Sequence, residues 1–188
     1  MISVRVRAAA AADVEAMGRV FVDSFRAAHR GQLPEHLLLS RTYASSAAGW
    51  RRAIAAEPDE FVCVAEVAGE VVGVGMGGPA APWSHDEEAR AAHPTGECFA
   101  LYVAPGSQHA GAGRAMLSYL ATRLAAEGMH RLVIGVLTVN APARAFYERV
   151  GGRVLGPRTY DDDGVELSET VYVWERPPNG RGQAAGCV

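Results

Sequence analysis

The stretch ECFALYVAPGSQHAGAGR, Glu97 to Arg114, decides how the chain is read. Its apolar run from Cys98 to Val103 stops at Ala104-Pro105-Gly106, and Gly111-Ala112-Gly113 then opens a helical pattern continued by Met116, Leu117, Leu120 and Leu124. Strand, glycine-rich turn and helix follow one another. The first backbone N–H groups of such a helix have no partner inside it, and glycine at the entrance lets a ligand approach them closely. A phosphate-bearing ligand suits that arrangement. Two common phosphate binders are excluded on named residues. A dinucleotide fold wants G-x-G-x-x-G directly after the first strand, whereas this turn comes late and lacks the third glycine. A P-loop wants Gly-Lys-Ser or Gly-Lys-Thr, whereas Gly113 is followed by Arg114 and Ala115.

Outward from this stretch the chain alternates strands and helices. Ser3 to Arg7 predicts a short strand. Val14, Met17, Phe21 and Phe25 recur at helical spacing, with Asp13 placed to cap their helix. Glu35 to Ser40 predicts a helical turn, and Ser45 to Ala56 a second helix. Phe61 to Val67 and Val71 to Met76 flank Gly69-Glu70 as a hairpin. Gly77 to Pro94, with Trp83 and the polar run Ser84 to Glu88, predicts a long loop. Beyond Arg114 a helix stops at Gly128, and Leu132 to Leu137 predicts a strand. Asn140 then caps a helix with Pro142 in its first turn, an Arg144–Glu148 pair and a stop at Gly151. Arg153 to Tyr160 and Val165 to Trp174 close the chain as a hairpin around Asp161-Asp162-Asp163-Gly164, and 176–188 reads as a flexible tail. One α/β (α+β) domain over residues 1–175 is expected, its sheet mixed but mostly antiparallel, with helices on its faces.

The chain has 188 residues, enough for one sizeable core. No apolar run is long enough to cross a bilayer, and Asp13 and Glu15 interrupt the start before a signal-peptide core forms. A cytoplasmic location is the expectation. The 18 basic residues are all arginine, yet the net charge of −3 offers nucleic acid and anionic membranes no general attraction. Cys63, Cys98 and Cys187 have no metal-ligand spacing and read as reduced thiols. The cluster His85, Asp86, Glu87, Glu88 and His93 also lacks the spacing of a rigid metal site, so no metal is expected.

Glu97 to Pro105 followed by Gln108-His109-Ala110-Gly111-Ala112-Gly113-Arg114 resembles the acetyl-CoA-binding motif of the GNAT family of N-acetyltransferases. Asn140 to Gly151, NAPARAFYERVG, is similar to that family's second hallmark. The resemblance implies the acyl-CoA N-acyltransferase fold, about six to seven strands with helices on both faces, and acetyl-CoA as cosubstrate. By position, Gln108, His109, Ala110, Gly111, Ala112, Gly113 and Arg114 would seat the pyrophosphate. The strand over Leu101, Tyr102 and Val103 would hold the pantetheine arm and polarise the acetyl carbonyl. Asn140 matches a position that contacts CoA, besides being a helix cap. Tyr147 matches the phenol that protonates the departing thiolate. Glu97 falls where the family often carries the base, acting directly or through water. The acceptor implied is a small-molecule or peptide amine, and homodimers are common in the family. Phe25, His29, Tyr43, Trp50 and Trp83 fall in regions that wall the acceptor pocket. Two departures stand out: Gly152 replaces a common phenylalanine, and Ser107 to Ala110 lacks a frequent basic residue. A non-catalytic acyl-CoA sensor on the same fold would keep the turn without needing Glu97 or Tyr147.

Overall fold

Two tight turns frame the sheet. Ala68-Gly69 joins β2 (Phe61–Val67) to β3 (Glu70–Pro79), and Asp163-Gly164 joins β6 (Arg153–Asp162) to β7 (Val165–Trp174). In both turns the two central residues have positive φ, 52° and 86° in the first, 53° and 78° in the second. Such turns carry a twist that matches paired strands. The first lies one residue earlier than Gly69-Glu70, because glycine takes the second left-handed position and Glu70 begins β3.

A computed structural model describes residues 3–55, 60–80 and 94–175. Its other strands are β1 (Val4–Ala8), β4 (Thr95–Val103) and β5 (Arg131–Leu137), and its helices are α1 (Val14–His29), α2 (Glu35–Ser40), α3 (Tyr43–Ala55), α4 (Ala112–Ala126) and α5 (Ala141–Arg149). The seven strands form one sheet in the order β1-β2-β3-β4-β5-β7-β6. Among the described strands only β4 and β5 pair in parallel, joined through α4 as parallel neighbours must be. The sheet is therefore mixed and mostly antiparallel.

Alternation along the strands divides the core between two faces. Cys63, Cys98, Leu132, Ile134 and Tyr172 pack with Met116, Leu117, Leu120 and Leu124 of α4 and Tyr147 of α5. On the opposite face Val64 and Val74 pack with Val14, Met17 and Val20 of α1 and Trp50 of α3. Farther along that face Phe25, Leu33 and Leu37 cover Leu137 and Leu167.

Local chemistry corrects several sequence expectations. Asp13 does not cap α1 with its side chain; Oδ2 accepts from Ala10 N at 2.8 Å, and the carboxylate is held by Arg7. Helix α3 begins at Tyr43 rather than Ser45, because Thr42 and Ser45 exchange backbone-to-hydroxyl bonds of 3.1 Å as a capping box built without Glu or Gln. Arg144 and Glu148 make no direct ion pair: the Tyr172 hydroxyl donates to Glu148 at 2.9 Å and accepts from Arg144 at 3.4 Å. Strand β3 runs to Pro79, beyond Met76. Residues 81–93, with Trp83 and the His85–His93 cluster, and the tail 176–188 lie outside the described residues.

Candidate functional site

The parallel pair supplies the central opening. Strands β4 and β5 pair at Thr95·Arg131, Gly96·Leu132 and Glu97·Val133 and no further, although β4 runs to Val103 and β5 to Leu137. A V therefore opens beyond Glu97. On its other edge β4 stays with β3 as far as Gly73·Val103. Ala104 N donates to Val72 O at 2.9 Å, so the alternating antiparallel pattern makes Tyr102·Val74 a bonded pair. Leu101 and Val103 then turn their backbone groups away from β3, toward the V. Ser24 Oγ of α1 donates to the Val103 carbonyl at 2.9 Å.

A bulge sorts the side chains of β4. Cys98 pairs with Gly77 and Ala100 with Met76, which leaves Phe99 as an extra residue. Cys98, Leu101 and Val103 consequently share the α4 face, while Ala100 and Tyr102 face α1. Glu97, preceding Cys98, belongs to the α1 face.

At the far end of β4 a single 3-10 turn, Pro105–Ser107, leads into α4. His109 and Gly111 adopt positive φ, 64° and 88°. Gly111 is the N-cap, and no side chain caps the helix. The first intrahelical bond runs from Ala115 N to Gly111 O at 3.0 Å, so the N–H groups of Ala112, Gly113 and Arg114 have no partner within α4. These amides and the helix dipole attract an anion. Gln108, His109 and Arg114 are exposed and Ala110 is half-buried. A Cβ at Gly111 would meet open space, whereas one at Gly113 would lie 3.3 Å from Phe146 of α5. Gly113 thus has a packing reason as well as a place in the turn.

Helix α5 flanks the V from the β5 side. Asn140 caps it, Oδ1 accepting from Ala143 N at 3.2 Å. Tyr147, 5% exposed, packs against Phe146, Tyr172 and Trp174 with ring centroids 5.1, 5.8 and 6.1 Å away. Burial first, then the neighbouring Cys98 and Tyr102, push its phenol well above its ordinary value of 10. It stays a neutral donor at physiological pH. Cys98 is buried, and burial raises its thiol pKa, which keeps it protonated and unreactive.

Glu97 is 2% exposed, and its Oε1 accepts from Arg158 Nη1 at 3.0 Å. Arg158 also binds Glu169, through Nε at 2.6 Å and Nη2 at 2.5 Å. Tyr102 and Tyr160 lie near Glu169, and burial raises both phenols to about 12. Arg158 and Glu169 were not singled out from the sequence, although a signal existed: a two-residue turn at Asp163-Gly164 sets these two residues directly opposite each other.

Of the aromatic residues assigned to the acceptor side, Phe25, His29 and Trp50 are joined through Phe21, whose ring centroid lies 5.9 Å from that of Phe25, while Tyr43 is exposed and Trp83 lies outside the described residues. Phe25 and His29 are buried together, 4.8 Å between ring centroids, with the Arg41 guanidinium 4.4 Å above Phe25. Trp50 packs in the α1–α3 core, 6.3 Å from Phe21. Tyr43 is exposed, its hydroxyl donating to Asp23 at 2.7 Å. Among the described residues no group of three or more His, Cys, Asp or Glu could hold a metal ion, and no helix is long and apolar enough to cross a membrane.

A mixed sheet parted between its two parallel strands, with a bare helix N-terminus at the parting, is the acyl-CoA N-acyltransferase fold. Residues 22–152 match the model of the Acetyltransferase (GNAT) family, and the chain belongs to that family. It is 28% identical over 172 residues to the uncharacterized N-acetyltransferase YuaI of Bacillus subtilis, covering 91% of this chain and 92% of that protein. Among solved structures, PaiA N-acetyltransferase from Thermoplasma acidophilum in complex with coenzyme A is 18% identical, covers 89% of this chain and 98% of its own, and gives a TM-score of 0.69. YncA from Salmonella typhimurium, solved with its cofactor acetyl-CoA, is 23% identical, covers 97% and 99%, and gives 0.65.

Proposed function

We propose that the protein transfers the acetyl group of acetyl-CoA to a primary amine of a small molecule or peptide, by direct attack within a ternary complex. One observation carries this reading: β4 leaves β5 directly beyond Glu97, so that the backbone of Leu101 and Val103 turns toward the opening between the two strands. Tyr147 and Cys98, the first β4 residue past the split, belong to one packed cluster on the α4 face.

Each group has a chemical task. The pyrophosphate rests on the N–H groups from Gln108 to Arg114, and Asn140 contributes from the facing helix. The thioester lies along Leu101, Tyr102 and Val103, where a backbone N–H stabilises the oxyanion that forms as the amine attacks. Glu97 takes the amine's proton, directly or through water, and Tyr147 donates to the departing thiolate. No acyl-enzyme forms, which agrees with two buried, protonated thiols at Cys63 and Cys98.

Steady-state CoA release with spermidine, kanamycin and an alanine-initiated peptide tests the reading. Tyr147→Phe is expected to lower kcat about 10²-fold, with the KM for acetyl-CoA within a few-fold of wild type. Glu97→Gln is expected to lower kcat/KM for the amine. Tight acetyl-CoA binding without turnover of any amine would instead favour a sensor on the same fold.

A further inference from the structure

The Arg158 side chain crosses the sheet. Glu97 stands on β4 and Arg158 on β6, and the strand order places β5 and β7 between them. At about 4.8 Å per strand the two backbones are roughly 14 Å apart. On the intervening strands the path is lined by Val133, Gly135 and Leu137 of β5 and by Glu169 and Val171 of β7. Gly135 leaves the gap. A Cβ there would collide with Arg158 Nη2 and with Oε2 of Glu169. The guanidinium fork divides over this gap, with Nε and Nη2 on Glu169 and Nη1 on Glu97.

A carboxylate 2% exposed is costly to ionise unless a cation compensates it. Among the described residues, the charged groups on the face of Glu97 are Arg158 from β6, Glu169 behind it on β7, and the buried Arg131 of β5, two residues from Val133, whose Nε lies 3.4 Å from Glu175 Oε2. Its chain neighbour Cys98 points to the opposite face, and β5 sets Val133 opposite Glu97 with Gly135 beyond it. Tyr102 and Tyr160 border Glu169, and the Arg41–Asp162 pair lies beyond them. One guanidinium thus serves two carboxylates.

We infer that Arg158 is the positioning residue for Glu97: reaching through the gap at Gly135, it keeps Glu97 ionised and fixed beside the opening of the V. This rests on the proposed role of Glu97 as the base, and it extends that role to Arg158 and to Gly135, which leaves room for its side chain. Any ion pair to Glu97 lowers its pKa by linkage; a positioning role also moves the acid limb of the pH profile of amine turnover when Arg158 is replaced, which a pair serving only the fold leaves in place.

The test is a titration of the Glu97 carboxyl carbon by 13C NMR in the full chain carrying 13C-carboxyl glutamate, the signal assigned through Glu97→Gln. Arg158→Gln is expected to raise the midpoint by at least one pH unit, a tenfold change in proton affinity. Arg158→Lys should fall between it and wild type, because an ammonium lacks the fork that reaches both partners. Gly135→Ala keeps every charge and only crowds the guanidinium, and it should shift the midpoint in the same direction. Glu169→Gln frees donors for Glu97 and should lower it. An unchanged midpoint in folded Arg158→Gln and Gly135→Ala overturns the inference. If neither variant folds, a midpoint that fails to fall in Glu169→Gln does so. Failure of the base reading shows separately, as wild-type CoA release by Glu97→Gln with the same amines.

Discussion

Gly152 and Trp174 occupy one volume between them. A Cβ at Gly152 would lie 2.7 Å from Cζ2 of Trp174 and 3.0 Å from the Tyr147 carbonyl oxygen, which accepts the Gly152 N–H at 2.9 Å to close α5. The indole fills the space that a phenylalanine side chain at position 152 would need, and its Nε1 donates to Val150 O at 3.0 Å. Its edge then packs on the Tyr147 ring. The missing phenylalanine therefore leaves no hole beside Tyr147, because an aromatic ring arrives from β7 instead. Gly152→Ala is expected to destabilise the fold by about 1–3 kcal/mol through overpacking, read as a lower denaturant midpoint at unchanged slope. In combination with Trp174→Phe the loss should be less than additive, with a coupling above roughly 0.5 kcal/mol. Strict additivity would mean that the two residues do not compete for this space.

At the scale of elements, α1 and β4 are tied where the sheet opens. The Val103 carbonyl belongs to a backbone stretch that has left its parallel neighbour, and Ser24 Oγ satisfies it at 2.9 Å. Ser24→Ala removes the donor from a buried position and should cost about 1 kcal/mol. Because the same strand end is proposed to hold the thioester, calorimetry should also show weaker acetyl-CoA binding in this variant; a stability loss with unchanged affinity would confine Ser24 to the fold. The elements themselves were largely legible in the sequence. Gly69, Gly164, Gly128 and Gly151 mark reversals that take positive φ, and a glycine at such a point announces itself. The bulge at Phe99 was not legible, since nothing in an apolar run says which residue is extra, yet it determines that Glu97 and Tyr102 share a face. Arg158 was half legible. Its partnership with Glu169 follows from the turn, but its reach to Glu97 depends on β7 inserting between β5 and β6, and that strand order is a property of the whole sheet.

For the molecule as a whole, buried titratable groups set the response to acid, and two of them act in different pH windows. Asp13 is held below its ordinary range chiefly by hydrogen bonds from Arg7, which also binds Glu66 and so ties β1, β2 and the start of α1 together. A depressed carboxylate contributes stability above its unfolded value, near 3.9, and loses it as pH falls from there toward the folded value. His29 acts earlier. It is 4% exposed, its Nδ1 has no hydrogen-bond partner, and burial followed by the Arg41 charge lowers its pKa below 6.5. Below about pH 6.5 the unfolded chain binds a proton that the folded chain refuses, so stability rises with pH across this window and falls on acidification. Each unit of separation between the two values is worth about 1.4 kcal/mol. His29→Gln, neutral at every pH, should therefore cost most near pH 7.5, and its deficit against wild type should shrink steadily toward pH 5. Thermal melts of both proteins between pH 5 and 7.5 decide the matter. Parallel curves would show that His29 contributes packing against Phe25 alone, leaving the acid response to carboxylates such as Asp13 at lower pH.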